Sequence, residues 1–285
     1  MEKEKLEMSR KKKVCIVFII LFVILAISVI IAVIFRKGII LEQVYYAIQI
    51  ISALFVIGGV IIAIWQYILT SKRENELRKE EIEEVKRIRN KEAIQLTEYY
   101  KDNIIDKISI INIVYRETHI LDILEGIMPE LMKNFDKNEL EKLLSKADRD
   151  NLEEKRKSKE FEKIILSHAD YFGIDLDRVE DKDKQMVEKM IIQNFKTLSQ
   201  QLLNNLEYFA MSFNCEIAEE TTVYQSLHQT YIRIVSHMYY EISSNNASGE
   251  QKLYTNVIKL FNKWNARALE QKDTEANAIR SVINK

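Results

Sequence analysis

The sequence predicts an all-α protein: a two-helix transmembrane hairpin, then a long linker helix, then a cytoplasmic helical bundle. Three observations carry that prediction. Two long uncharged apolar runs lie near the start of the chain, a breaker-free charged stretch follows them, and one Pro and six Gly among 285 residues leave little punctuation for strands or hairpin turns.

After a basic tail, residues 1–13, the first run extends from Val14 to Phe35: 22 residues without a charge, 18 of them Val, Ile, Leu or Phe. At about 1.5 Å per residue this length crosses a hydrocarbon core of roughly 30 Å. Those side chains favour insertion by roughly 5–11 kcal/mol before end effects are discounted. A signal peptide is the rival reading, but its apolar part is shorter, and here Arg36 and Lys37 follow directly. The second run, Val44 to Thr70, has 27 uncharged residues, with Tyr45, Tyr46, Trp65 and Tyr67 where interfacial aromatic belts belong. The hairpin is therefore placed at 14–70, with spans 14–35 and 44–70. Ser28 with Ala32 and Gly59 with Ala63 have the four-residue spacing that lets spans approach closely, and they are the candidate packing residues.

Lys and Arg near the membrane number six in Met1–Lys13, two in the turn and eight in residues 71–91. The positive-inside rule then keeps both termini in the cytoplasm, and the expected location is a cytoplasmic membrane crossed twice. Residues 1–70 carry eight basic and four acidic side chains, a net +4; with −1 for the whole chain, the remainder is −5. Such a body is not a basic nucleic-acid binder, and no nucleic-acid partner is expected. Cys15 and Cys215 are not expected to form a disulfide in a reducing compartment.

Residues 71–98 read as a charged linker helix. Opposite charges four apart (Glu74 with Arg78, Glu83 with Arg87) support it, and its sparse apolar positions suit either a solvated connector or an oligomer-forming stalk. The helical domain is placed at 99–270. Ile104 to Leu124 has helical spacing, Gly126 and Pro129 mark a boundary, and Asp136 with Glu139 forms a capping-box pattern opening a short helix to about Ala147. A helix is expected from about Asn151 to Tyr171, stopped by Gly173. Acidic residues between Asp175 and Asp183 lack calcium-loop spacing and read as turns and caps. Long amphipathic helices are predicted from Lys184 to about Asn214 and from Glu219 to Ser243. After the Asn245–Gly249 break, a closing helix carries Tyr254, Phe261 and Trp264, followed by a polar tail at 271–285 that frays.

The segment Leu202-Leu-Asn-Asn-Leu-Glu-Tyr-Phe-Ala210, with the Tyr231-Ile232 helix and the Trp264 helix after it, resembles an uncharacterised family of bacterial membrane-anchored helical domains. In that family a Leu-Asn-x-x-Glu-x-x-Ala pattern lies on a core helix behind an N-terminal span, and the resemblance covers about residues 95–265. The two-span layout is also similar to that of membrane effectors in antiphage or abortive-infection systems. Neither resemblance implies a catalytic residue.

In physical terms, Asn204 and Glu207 lie three apart among apolar neighbours, where polar groups must find partners. The expectation is a polar network or ligand site formed by Asn204, Glu207, Tyr231 and Arg233, with Arg233 as the counter-charge to Glu207. No phosphate loop, nucleophile elbow or metal-ligand pattern occurs. Of the four His, His228 and His237 are nine apart and half a turn out of phase. No cofactor, no metal and no enzyme activity are expected. The expected function is that of a membrane-anchored sensor or effector whose domain answers a cytoplasmic protein or small signal and alters the spans, with the lipid bilayer and further copies of itself as partners. The alternatives are a membrane tether for an interaction domain, or an enzyme with an unrecognised site.

Overall fold

The computed structural model describes residues 25–29, 32, 41–246 and 252–283, and its ordered elements are all helical, with no strand among the described residues. Most of the first apolar run lies outside them. Of the candidate packing residues there, Ser28 and Ala32 are helical, and the pairing of two spans into a hairpin is not visible. The chain divides into two compact units, Met1–Glu81 and Ile82–Lys285.

Helix α1 runs from Leu41 to Tyr100 without a break, joining the second apolar run and the charged linker in one element. Among the described residues it is the helix long and apolar enough to cross a membrane, and none of its most apolar window is buried. Near its start Gln49 Nε2 donates to the Tyr45 hydroxyl at 2.9 Å, so one of the two amides in the apolar run has a partner on its own helix. Gly59 and Ala63 are exposed, and a Cβ built at Gly59 meets nothing within 4 Å.

In the second unit burial begins at Ala93, earlier than the expected domain start at residue 99, because the last two turns of α1 belong to the core. Ala93, Leu96 and Tyr100 are all at or below 6% exposure. A π turn, Lys101–Ile105, comes next, and α2, Asp106–Glu117, continues from it. The spacing of buried side chains explains the π turn. Leu96, Tyr100, Ile104 and Ile108 follow one another at steps of four. In a plain α-helix at about 100° per residue, twelve positions would leave Ile108 about 120° away from Leu96. The wider i→i+5 turn takes up one extra residue and returns all four to one side.

His119, in the left-handed region at φ 57°, separates α2 from α3, Ile120–Glu125. Pro129 is the first residue of a 3-10 turn, Pro129–Leu131. Asp136 caps α4, Lys137–Leu143, by accepting from Glu139 N at 3.0 Å. The reciprocal half of the capping box is not made. Glu139, 7% exposed, instead accepts from Lys133 N (2.7 Å), from Asn134 N and from the Tyr239 hydroxyl (3.3 Å), so its carboxylate closes the preceding loop onto a later helix.

The single helix expected over 151–171 is two helices, α5, Lys146–Lys157, and α6, Lys159–Ser167. Ser145 and Ser158 each cap one, accepting from Asp148 N and Phe161 N, and the extended backbone at Ser158 breaks the run. Helix α7, Asp181–Asn214, is the spine of the domain; Ile191, Phe195, Leu202, Leu206, Phe209 and Phe213 form its buried side. Helix α8, Glu220–His237, and the short α9, Tyr239–Asn245, meet at a kink at Met238, where one helix was expected. Helix α10, Thr255–Ile283, packs on α7 and α8, with Trp264 buried among Phe209, Phe213, Tyr224 and Tyr231. It continues through the segment expected to fray, with exposed side chains from Glu270 to Asn277.

Candidate functional site

The four residues singled out by the motif do not form one knot. Helical phase separates them: Asn204 and Asn205 are one residue apart and therefore about 100° apart around α7. Asn204 faces solvent, and Asn205 is the half-buried member. Arg233 is exposed on α8 and is not among the partners of Glu207, so the expected ion pair is not made.

Glu207 and Tyr231 do converge, at the first turn of α10. The Glu207 carboxylate accepts from Asn256 N at 3.1 Å, Asn256 Nδ2 at 2.8 Å and Val257 N at 3.0 Å. Free amides at a helix start need acceptors, and a carboxylate there also meets the positive end of the helix dipole. The counter-charge to Glu207 is thus a helix terminus. Tyr231, fully buried, donates its hydroxyl to Val257 O at 3.2 Å. Burial, with Tyr100 and Glu207 nearby, pushes this phenol well above its usual range and keeps it a neutral donor. Asn214 Nδ2 reaches Asn256 O and Oδ1, so three side chains from α7 and α8 hold the same turn.

A second polar system fastens the end of α1 to the domain. Asn205 Nδ2 donates to Asn103 O at 2.9 Å, and its Oδ1 accepts from the Tyr99 hydroxyl at 3.1 Å. Asn103 lies inside the π turn, where the change from i+4 to i+5 bonding takes carbonyls off the helical ladder. Three turns earlier, Arg89 pairs with Glu219 at 3.4 Å, Arg89 O accepts from Glu219 N at 3.0 Å, and Thr222 Oγ1 donates to Asn90 Oδ1 at 2.9 Å. The start of α8 is therefore tied to the same helix as the middle of α7.

A third polar cluster is centred on a buried carboxylate. Glu241 of α9, 7% exposed, accepts from the Tyr115 hydroxyl and pairs with Arg156 at 3.1 Å. The Arg156 guanidinium also lies over the Tyr240 ring at 5.4 Å. Burial and the adjacent carboxylate push the Tyr115 phenol well up. Helices α2, α5 and α9 are joined by this one contact.

Between α8, α10 and the Pro129 turn runs a groove of about 490 Å³, into which Arg233, His228 and His237 face with Glu125, Asn265 and Lys272. His237 Nδ1 is 2.9 Å from Asn112 Oδ1, and its Nε2 is 3.6 Å from Glu125. Among the described residues no group of three or more His, Cys, Asp or Glu is placed to hold a metal ion. The arrangement carries backbone capping, ion pairs and a helix clamp.

Asn205, Arg89, Glu219, Asn214 and Asn256 were not legible as site residues. For Asn205 a signal existed, since it falls on the side of α7 next to Leu202, Phe209 and Ser212, all buried. No protein-family model, curated protein or solved structure matches the chain.

Proposed function

We propose that this chain is a membrane-anchored sensor or effector of the bacterial inner membrane, with a two-span anchor and both ends in the cytoplasm. Its helical domain answers a cytoplasmic partner or small signal by shifting α1, and the shift alters the packing of the spans. The observation that carries this reading is the clamp on α1. The helix that contains the apolar run ends inside the domain's core, where Ala93, Leu96 and Tyr100 are buried and Arg89, Asn90, Tyr99 and Asn103 are held by α7 and α8. A domain that only needed confinement at the membrane would be served by a loose linker. The resemblance of the Leu203–Ala210 segment to bacterial membrane-anchored domains, and of the layout to antiphage effectors, agrees with this reading.

Exchanging residues 1–70 for an unrelated two-span anchor tests it. An effector loses its effect on cell growth and membrane potential on induction or phage challenge, whereas a tether keeps its function with the foreign anchor. Retained function would refute the proposal.

A further inference from the structure

Helix α7 has a second face, opposite the one it buries. Met186, Met190, Gln200, Asn204, Tyr208 and Met211 recur at helical spacing along one line and are all exposed, Met186 at 69%, Met190 at 47%, Tyr208 at 49% and Met211 at 37%. Taking Asn204 as zero, each falls within about 40° of it at 100° per residue. No charged side chain stands on this line, and Lys189, Lys196 and Glu207 lie at its edges. Lys182, one turn before Met186, is the charge on the same side of the helix; from Met186 to Met211, in a chain that is 30% charged, the exposed line carries none, unlike the charged exposed faces of α5 and the end of α10. Loss of charge together with Met and Tyr is the composition of an interface core.

We propose that this face of α7 is where two copies of the chain pair about a twofold axis. The electrostatics select a second copy over another partner. Twofold pairing sets a surface against itself, so a face carrying charge of one sign meets its like and is penalised. The amides of Gln200 and Asn204, by contrast, are donor and acceptor at once and match their own copies; neither has a hydrogen-bond partner among the described residues. A charged partner would find nothing on this line to answer it. The size of the face sets the conditions under which pairing occurs. Met186 to Met211 spans about 38 Å, and with a helix about 10 Å across the contact is at most roughly 400 Å² per copy. Stable interfaces bury about 800 Å² per partner, so this pair is weak in free solution and depends on the high local concentration of chains held in one membrane. That strength, though not the choice of surface, rests on the membrane anchor proposed above.

The test uses the full chain in native membranes, in a Cys15→Ala/Cys215→Ser background. Single Asn204→Cys and Gln193→Cys reporters on the face, and Lys157→Cys on α5 as an off-face control, are treated with a short bis-maleimide. The proposal expects at least fivefold more cross-linked dimer from the face reporters than from the control. Adding Gln200→Lys or Gln200→Glu to the Asn204→Cys chain lowers the dimer severalfold in each case, and co-expressing the two restores it. Face reporters that cross-link no better than the control overturn the proposal, as do charged variants that cross-link as well as their parent. Cross-linking of the face reporters to a different protein in place of a second copy overturns it too. Fractionation of the same samples reads the anchor separately: a soluble chain sinks the membrane reading, while the charge-swap pattern still decides the pairing.

Discussion

Replacing Glu207 by Ala removes the acceptor that holds the first turn of α10. Three donors lose it together: Asn256 N, Val257 N and Asn256 Nδ2. A bond to a charged acceptor contributes about 1.5–3 kcal/mol, and loss of a helix cap costs about 1–2 kcal/mol. The carboxylate is half-buried and the amides beneath it are left with little water, so the expected loss is about 3 kcal/mol. For a domain of some 200 residues that lowers Tm by roughly 6–12 °C. Glu207→Gln keeps one acceptor and falls between Ala and the native chain. Two assays read this: thermal unfolding of the detergent-solubilised full chain by circular dichroism, and hydrogen exchange of the amides at 256–260. A double-mutant cycle with Arg233→Ala adds a sharper check, because the two side chains do not touch and their effects should sum to within about 0.5 kcal/mol. An unfolding curve for Glu207→Ala within a degree of the native one, or a large coupling to Arg233, would refute the reasoning.

The π turn gives a second prediction. Deleting Asp102, which is exposed within it, leaves Leu96 and Ile108 eleven positions apart, about 20° out of phase in a plain α-helix, so the chain folds with Tm within a few degrees of native. Inserting an Ala at the same point puts them about 220° apart and abolishes cooperative unfolding. Arg156→Met strands the Glu241 carboxylate beside Tyr115 and costs about 3 kcal/mol in urea unfolding, and Glu241→Gln in the same chain recovers part of it. His237 should make stability fall with acid. Burial holds its pKa below the usual value near 6.5; Glu125 opposes the shift, and Arg233 and Arg116 reinforce it. The unfolded chain therefore takes up the proton first, and the contribution is complete above about pH 6.5 and is lost as pH drops toward the folded value. Unfolding midpoints measured from pH 7.5 to 5 should show a slope that His237→Gln removes.

Helical periodicity made much of the domain legible, because burying one side of a helix forces apolar residues to recur at three and four. The inward faces that carry Phe209, Tyr231 and Trp264, and the long run ending at Asn214, follow from that rule alone; that the three rings meet does not. Polar partners were harder to read, since a side chain's phase within its own helix says nothing about what the neighbouring helix presents. Glu207 was recognised as needing a partner, but an arginine was the nearest candidate by type, whereas the structure supplies a helix start, Asn256 and Val257, which has no charge to betray it. Asn204 and Asn205 differ by a single position in a repeated residue type, and only the flanking buried side chains tell them apart. The breaks at Ser158 and Met238 were hidden for different reasons. Ser158 has a cap pattern that a continuous polar stretch masked, whereas at Met238 no Gly, Pro or capping residue marks a break, so the stretch reads as one helix. The run of four-residue steps from Leu96 to Ile108 did encode the π turn, as an excess over the 3.6 period.

If the apolar run of α1, residues 44–70, lies in lipid with the domain inside the cell, as proposed, the orientation of the carboxyl end is the most direct test of it. With green fluorescent protein fused after Lys285, intact cells should show membrane-bound fluorescence, and the same junction with alkaline phosphatase should be inactive. Phosphatase activity at that junction, or a fluorescent chain recovered in the soluble fraction without detergent, would contradict it.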